Sequence, residues 1–425
     1  MPSFIVEGGH RLHGTVRPAG NKNAALPILA ATLLADGPVT IHNVPRIRDV
    51  DAMIALMAAQ GVIFSWADDH TLIADARQAR PGDPDPALCA SIRASILLAG
   101  PMLGRFGRVR LPPPGGDVIG RRRVDTHLLA LQRLGAEVTV GATYDFAAKK
   151  LVGDDIFLDE ASVTGTENAL MAAAMAKGRT ILRNAASEPH VQDLANLLVR
   201  MGAQIEGIGS NTLTIEGGRP LGGAEFAIGP DHIEIGSFIG LAAVTDSAIT
   251  IEGVRAPDLR ATLLGFERLG IVARVDGDRL IVDKGQPRRI SEDMGGHVPK
   301  LEDAIWPGFP ADLMSIAIVT ATQCAGTILF FEKLFESRLF FVDKLIGMGA
   351  RIVLCDPHRC VVGGPSRLRG QKVESPDIRA GMAMLLAALA AEGTSTIHNI
   401  GQIERGYERI HERLSALGAH IERKD

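Results

Sequence analysis

The chain repeats one large unit six times, and this repetition constrains its fold more than any single motif. An amphipathic helix stops at a glycine and gives way to a strand at Gln60-Gly61-Val62, Leu134-Gly135-Ala136, Met201-Gly202-Ala203, Leu269-Gly270-Ile271, Met348-Gly349-Ala350 and Leu417-Gly418-Ala419. These ends lie about 70 residues apart, longer than tabulated solenoid repeats, so each unit is a sizeable α/β block and not one layer of a thin array. In the third copy Val191, Leu194, Leu197, Leu198 and Met201 recur at helical spacing. The glycine then takes the position after the helix, where left-handed backbone geometry costs it little.

Each copy also holds a helix that is apolar nearly all round, over 23–33, 93–103, 169–175, 239–244, 312–321 and 382–389. Helices of this kind are buried. Several run on into β-branched strands, such as Val39-Thr40-Ile41-His42, Thr180-Ile181-Leu182-Arg183 and Thr396-Ile397-His398. Three units about an axis would sheathe a bundle of buried helices in sheets, and six units predict two such α/β domains. Gly229-Pro230-Asp231, between the third and fourth copies, suits a crossing point. The segment before Gly20 is expected to return to the C-terminal half. The predicted division is a first domain over 22–229, with a mobile loop at about 112–123, and a second over 1–21 plus 230–425.

Length and composition narrow the function classes. With 425 residues the chain can bury two or three cores, and with 4% aromatics those cores are aliphatic. A net charge of −4 leaves no basic footprint for nucleic acid or an anionic membrane. No apolar run reaches the length of a membrane span, and the N-terminus lacks the basic-then-apolar pattern of a signal peptide. A cytoplasmic protein is expected. Cys89, Cys324, Cys355 and Cys360 fit neither a disulfide framework nor a common zinc spacing. Cys355 to Cys360 reads as a strand-turn-strand, so no metal and no cofactor are expected. Nothing in the sequence specifies an oligomeric state.

Chemistry is expected where the buried helices begin. Their N-terminal ends read Gly20-Asn21-Lys22-Asn23, Ser91-Ile92-Arg93, Gly165-Thr166-Glu167-Asn168, Phe309-Pro310-Ala311-Asp312 and Asp377-Ile378-Arg379. A cation there opposes the helix dipole by about 0.3–1 kcal/mol, and three such cations suggest a bound anion that offsets the cost. The Gly/Pro-rich stretch from Pro112 to Asp125 is too long for a simple connector and carries Asp117 followed by Arg121, Arg122 and Arg123. Arg338 and Arg405 add guanidiniums in the second half. Many arginines with few nucleophiles point to a small substrate rich in phosphate and carboxylate, groups that planar bidentate arginine contacts suit.

The motifs Gly20-Asn21-Lys22-Asn23-Ala24-Ala25-Leu26-Pro27, Arg93-Ala94-Ser95-Ile96-Leu97, Gly115-Gly116-Asp117-Val118-Ile119-Gly120, Phe309-Pro310-Ala311-Asp312 and Arg405-Gly406-Tyr407-Glu408-Arg409 occur in order along the whole chain. Through them the chain resembles the UDP-N-acetylglucosamine 1-carboxyvinyltransferases, a family of enolpyruvyl transferases. The resemblance implies a pair of inside-out α/β barrel domains, three repeats in each, with a ligand cleft between them. It implies addition of the sugar 3′-hydroxyl of UDP-N-acetylglucosamine to C2 of phosphoenolpyruvate while C3 is protonated, then loss of phosphate and a C3 proton. Electrostatic stabilisation by preorganised cations is the main task, and no metal is required.

Carried over by position, Lys22, Arg122 and Arg405 would grip the phosphate of phosphoenolpyruvate with Asn23 alongside, and Arg338 and Arg379 would hold its carboxylate. Arg93 would sit near the nucleotide and the loop. Arg122, Arg123, Val124, Asp125 and Thr126, with Ser162, Val163 and Thr164, would bind UDP-N-acetylglucosamine, and Leu334 would touch it through its backbone. Asp312 would accept the hydroxyl proton, and Asp377 would support Arg379. Two positions depart from the family. Asp117 stands where Cys is usual; a carboxyl group can still deliver a proton inside a closed, dry loop but forms no thiol adduct, so insensitivity to fosfomycin is expected. Arg123 stands where Pro is usual, beside the nucleotide. Three rival readings are an enolpyruvyl transferase with another acceptor, a silent sugar-nucleotide-binding paralogue, and a nucleic-acid-end enzyme on related repeats. The last calls for a basic face and stacking aromatics, which two Trp, two Tyr and a negative net charge do not supply.

Overall fold

The computed structural model describes residues 2–117 and 119–425; Val118, part of the loop motif, lies outside the described residues. The chain divides into two compact units. One comprises residues 20–117 and 122–229, and the other residues 2–19, 119–121 and 230–425.

In the first unit the buried helices are Lys22–Ala31, Ala99–Phe106 and Val163–Met175. They pack on one another in an aliphatic core of Ile28, Leu29, Leu97, Leu98, Leu170 and Met171. Small residues allow the close approach: a Cβ on Gly100 would lie 2.5 Å from the Asn168 carbonyl oxygen. Three sheets surround this bundle. Their strand orders are Ala224–Ala227, Val39–His42, Leu72–Asp75, Ile63–Trp66; then Arg108–Leu111, Tyr144–Ala147, Glu137–Val140; then Gln204–Glu206, Thr212–Gly217, Gly178–Arg183, Asp155–Phe157.

The second unit repeats the plan. Its buried helices are His232–Val244, Met314–Ala321 and Ile378–Ala390. Its sheets run Ala273–Asp276, Arg279–Val282, Ala248–Glu252, His13–Val16; then Lys300–Glu302, Gly326–Phe331, Arg359–Gly364, Arg351–Asp356; then Lys372–Glu374, Thr394–His398, Ser3–Glu7, His420–Lys424. Each unit is therefore mixed α/β, with helices inside and sheets outside.

In five of the six sheets the strand that follows the buried helix pairs in parallel with one edge strand. Two of these partners are exchanged along the chain. His13–Val16 leads towards the helix Lys22–Ala31 but pairs with Ala248–Glu252, whereas Ala224–Ala227 leads towards His232–Val244 but pairs with Val39–His42. In the second copy the short helix Pro86–Ser91 precedes the buried segment instead of a strand.

All six repeat glycines have positive φ, from 74° at Gly270 to 112° at Gly202, as the helix-stop reading requires. Two buried helices begin differently from the expectation. Arg93–Leu98 and Ala311–Leu313 are 3-10 turns, and α geometry starts only at Ala99 and Met314. Pro101 accounts for the first, because its missing N–H and its ring both break the bond back to Leu97.

Candidate active site

In the first unit the helix Lys22–Ala31 is capped by Asn21, whose Oδ1 accepts the Ala24 N–H at 3.1 Å. Lys22 takes the first helical position, and its Nζ lies 2.8 Å from Asp49 Oδ2, both side chains buried. Asn23, beside it, is half-buried. Arg93 opens the 3-10 turn and donates from Nη2 to the carbonyls of Arg122 and Arg123, at 2.8 and 2.9 Å. Burial, with the Arg122 charge adding to it, pulls the Arg93 guanidinium down to about 10. Arg93 thus holds the backbone that presents Arg122 and Arg123.

The segment beyond is pinned by Asp159. Its Oδ2 accepts from Arg123 Nη2 at 3.2 Å and its Oδ1 from Thr126 Oγ1 at 2.7 Å. Arg123 also donates to Asp125 from Nε at 3.0 Å. Val124 caps the helix Asp125–Arg133, whose opening aspartate suits the positive helix end. Ser162 caps Val163–Met175 by accepting the Gly165 N–H at 3.2 Å. Between these two helices lies buried His127. Asn168 Nδ2 donates to its Nδ1 at 2.8 Å, which leaves Nε2–H to donate to Thr164 Oγ1 at 3.0 Å. Burial, reinforced by the Arg93 charge, pushes this imidazole down to about 3, so it stays neutral. Asn168 is anchored in turn to the Ile96 carbonyl and the Gly100 N–H. Arg93, Arg122, Arg123, Asp125, Asp159 and Thr126 thus form one bonded set, and Thr164 is held in a second by His127 and Asn168.

The loop before Arg122 is shaped by close backbone approach. Gly115 N–H donates to the Cys89 carbonyl at 3.1 Å, and a Cβ on Gly115 would lie 1.7 Å from the Ala90 carbonyl oxygen. Asp117 follows two residues later, half-buried. Residues 119–121 pack with the second unit: the Ile119 carbonyl accepts the Ser337 N–H at 3.2 Å, and Glu336 Oε2 accepts the Arg121 N–H at 3.2 Å.

In the second unit Asp312 joins two arginines. Arg338 Nη2 donates to its Oδ1 at 3.0 Å and Arg379 Nε to its Oδ2 at 3.1 Å; both guanidiniums are buried. Asp377 caps Ile378–Ala390, accepting the N–H groups of Arg379 and Ala380 at 2.8 and 2.9 Å. Arg379 also reaches Tyr407 Oη at 3.4 Å, and that buried phenol is bonded to Ser237 Oγ at 2.9 Å. The Arg338 guanidinium lies 4.8 Å from the centre of the Phe335 ring. Leu334 is exposed, and its N–H donates to Asp303 Oδ2 at 3.3 Å. Arg405, in the 3-10 turn Ile403–Arg405, donates to Gln402 Oε1 at 2.9 Å.

Asp312, Arg338 and Arg379 are thus brought together in one unit, and Arg93, Arg122 to Thr126 and Ser162 to Thr164 in the other, which also carries Lys22, Asn23 and Asp117. One expectation needs correction. The dipole cost of a cation at a helix start does not by itself call for a bound anion, because Asp49 offsets Lys22 and Asp312 offsets Arg379 within the protein. The sequence reading did not single out Asp49, His127, Asp159, Asp303, Glu332 or Tyr407. His127 and Glu332 carry the one usable signal, a polar side chain inside an apolar run; the rest act across long sequence separations.

Glu7, His10 and His420 bring three ligand atoms within 4.8 Å of one another. The two imidazoles stack at 3.8 Å with 27° between their planes. A metal between rings so stacked lies out of both planes, off the nitrogen lone pairs, so the cluster reads as a pair of His–Glu contacts at 3.2 and 3.5 Å.

Comparison with known proteins shows the family and the fold. The EPSP synthase (3-phosphoshikimate 1-carboxyvinyltransferase) family profile matches residues 6–414. A UDP-N-acetylglucosamine 1-carboxyvinyltransferase of Bradyrhizobium diazoefficiens is 66% identical over 420 residues, covering 99% of this chain and 97% of that protein. This chain belongs to that family of enolpyruvyl transferases. A Treponema denticola protein of the same name is 53% identical, with both chains covered in full. Among solved structures, the enolpyruvyl transferase NikO from Streptomyces tendae superposes with a TM-score of 0.88 at 25% identity, covering 100% of this chain and 99% of its own. An EPSP synthase from Acinetobacter baumannii shares the fold with a TM-score of 0.74 at 18% identity, both chains covered in full. Among the described residues no helix is long and apolar enough to cross a membrane.

Proposed function

We propose that the chain transfers the enolpyruvyl group of phosphoenolpyruvate to the 3′-hydroxyl of UDP-N-acetylglucosamine and releases phosphate, the first committed step of peptidoglycan precursor synthesis, in the cytoplasm. The observation that carries this reading is the Asp312–Arg338–Arg379 trio. Two buried guanidiniums converge on one carboxylate, and that carboxylate occupies the donors that a substrate carboxylate would take. The names of the full-length relatives supply the acceptor.

In this reading Arg338 and Arg379 hold the carboxylate of phosphoenolpyruvate, and Lys22, Asn23, Arg122 and Arg405 its phosphate. The network from Arg93 to Thr126, with Ser162, Val163, Thr164 and the Leu334 backbone, holds the nucleotide sugar. The hydroxyl oxygen bonds to C2 while Asp117 gives a proton to C3. When the substrate carboxylate takes over the arginine donors, Asp312 loses two hydrogen bonds and gains an anionic neighbour. Both changes make it a better acceptor for the hydroxyl proton. The tetrahedral intermediate then expels phosphate and loses a C3 proton, with the cations stabilising the developing charge.

The test is phosphate release with both substrates and with each omitted in turn. Release only when both are present supports the reading. Release driven instead by shikimate 3-phosphate would replace the acceptor, and sugar-nucleotide binding without release would make the chain a silent paralogue.

A further inference from the structure

Glu332 follows the strand Gly326–Phe331 and is fully buried, and neither of its carboxyl oxygens accepts a hydrogen bond, although as a protonated acid it is hydrogen-bonded to the Asp303 side chain. Its backbone is fixed on both sides: its N–H donates to the His358 carbonyl at 2.8 Å, and His358 Nδ1 donates to its carbonyl at 2.7 Å. Its Oε2 lies 3.8 Å from Arg338 Nε, a buried N–H donor that lacks a hydrogen-bond partner. The other edge of the same guanidinium holds Asp312. Arg338 is therefore engaged at Nη2 and stands a small shift short of engagement at Nε.

Burial pushes the Glu332 carboxyl up to about 9; Arg338 pulls against that rise, while Asp303, through its charge and a side-chain hydrogen bond, and the Asp312 charge add to it. At neutral pH the acid thus keeps its proton and leaves Arg338 its positive charge undiminished. Asp303 connects this acid to the next two residues, since it accepts the Lys333 and Leu334 N–H groups at 2.5 and 3.3 Å. A buried donor left unbonded beside an acceptor is unfavourable for stability alone. It has a use if the gap closes when Arg338 moves.

We propose that Glu332 is a positioning residue for Arg338: as the substrate carboxylate displaces Asp312, the guanidinium pivots and Nε–H closes onto Glu332, which sets its orientation for phosphoenolpyruvate. The inference rests on the enolpyruvyl-transfer reading above. A hydrogen bond to a charged donor, made only with the substrate in place, corresponds to about a tenfold or larger change in apparent affinity.

The test compares the unaltered chain, Glu332→Gln and Glu332→Leu by steady-state phosphate release, varying each substrate at pH 7 to 10. Glu332→Leu should raise KM for phosphoenolpyruvate by about tenfold and leave KM for UDP-N-acetylglucosamine within about twofold. Glu332→Gln, neutral and still able to accept Nε–H, should stay close to the unaltered chain at pH 7. In the unaltered chain KM for phosphoenolpyruvate should climb above pH 9, as an ionised Glu332 competes with the substrate carboxylate for Arg338; in Glu332→Gln that rise should vanish. Equal rises in both KM values, or none, in Glu332→Leu would overturn the proposal, as would identical alkaline profiles. If the leucine variant does not fold, the glutamine profile decides alone. Absence of phosphate release from the unaltered chain would defeat the reaction itself, whereas normal turnover with an unaffected Glu332→Leu defeats only the role of Glu332.

Discussion

Asp312 neutralises Arg338 and Arg379 and, in the proposed mechanism, would also take the acceptor's proton. Asp312→Ala leaves two buried guanidiniums without their shared acceptor and should destabilise the protein by about 3 kcal/mol, read from urea unfolding. Phosphoenolpyruvate should then stabilise this variant more than the unaltered chain, because the ligand supplies the missing carboxylate. Equal stabilisation would separate the trio from substrate binding. Asp117 makes a different prediction. The chain should keep turning over in fosfomycin, and Asp117→Cys should become subject to time-dependent inactivation; rapid covalent loss of the unaltered chain would refute the assignment. Asp117→Ala should lower kcat by about 10²–10⁴-fold, the range for a missing general acid. Both aspartates were singled out from the sequence because each belongs to a motif that carries the family resemblance, Gly115-Gly116-Asp117 and Phe309-Pro310-Ala311-Asp312. Glu332 and Asp303 were not, because their meaning comes from neighbours brought in by the strand pairing of Lys300–Glu302 with Gly326–Phe331.

Elements carry the site by fixing where short segments begin and how closely they approach. The Gly115 loop lies against residues 89–90, so Gly115→Ala must displace backbone and should lower kcat at least about tenfold with little change in Tm. Gly141→Ala, where an added Cβ meets nothing within 4 Å, is the control that should change neither. The helix pair around His127 makes a stability prediction. Folding holds this imidazole at about 3 against an ordinary 6.5, and His232 at about 4, both chiefly through burial. A depressed folded value means that the unfolded chain binds the extra proton, so stability contributed by each group is present above pH 6.5 and is lost as pH falls below it. At pH 5 each histidine should have removed about 2 kcal/mol, measured by urea unfolding at fixed salt. Raised carboxyls act oppositely: Glu332 contributes stability at low pH that is lost as pH rises from about 4.5 towards 9. The apolar helices and their glycine stops were plain from periodicity. The two 3-10 openings were hidden, because hydrophobic spacing over one turn does not distinguish the two helix types.

At the scale of the molecule, the chain builds one unit largely from its middle and the other from its two ends. Ser3–Glu7 lies between Thr394–His398 and His420–Lys424, and His13–Val16 pairs with Ala248–Glu252. Removing residues 2–16 should therefore abolish hydrogen-exchange protection in 248–252, 394–398 and 420–424 while sparing 39–42 and 72–75. Loss spread evenly over both units would contradict this division. The return of the segment before Gly20 to the C-terminal half was expected from the sequence, but the reciprocal pairing of Ala224–Ala227 with Val39–His42 could not be seen there, because one repeat looks like another and the pairing partner is chosen by topology. The repeat glycines, by contrast, have a consequence for how the gene tolerates change. A saturation library scored for abundance should show a comb of six intolerant positions along the chain, and its teeth should be uneven. At Gly61, Gly270 and Gly349 a side chain would meet backbone atoms at 2.8, 2.5 and 2.9 Å as well as an unfavourable φ, whereas at Gly135, Gly202 and Gly418 the nearest atoms lie at 3.4, 3.7 and 3.9 Å. The first three should accept almost nothing. The other three should admit Asn, which tolerates left-handed geometry, and so mark where drift can enter an otherwise repeated design.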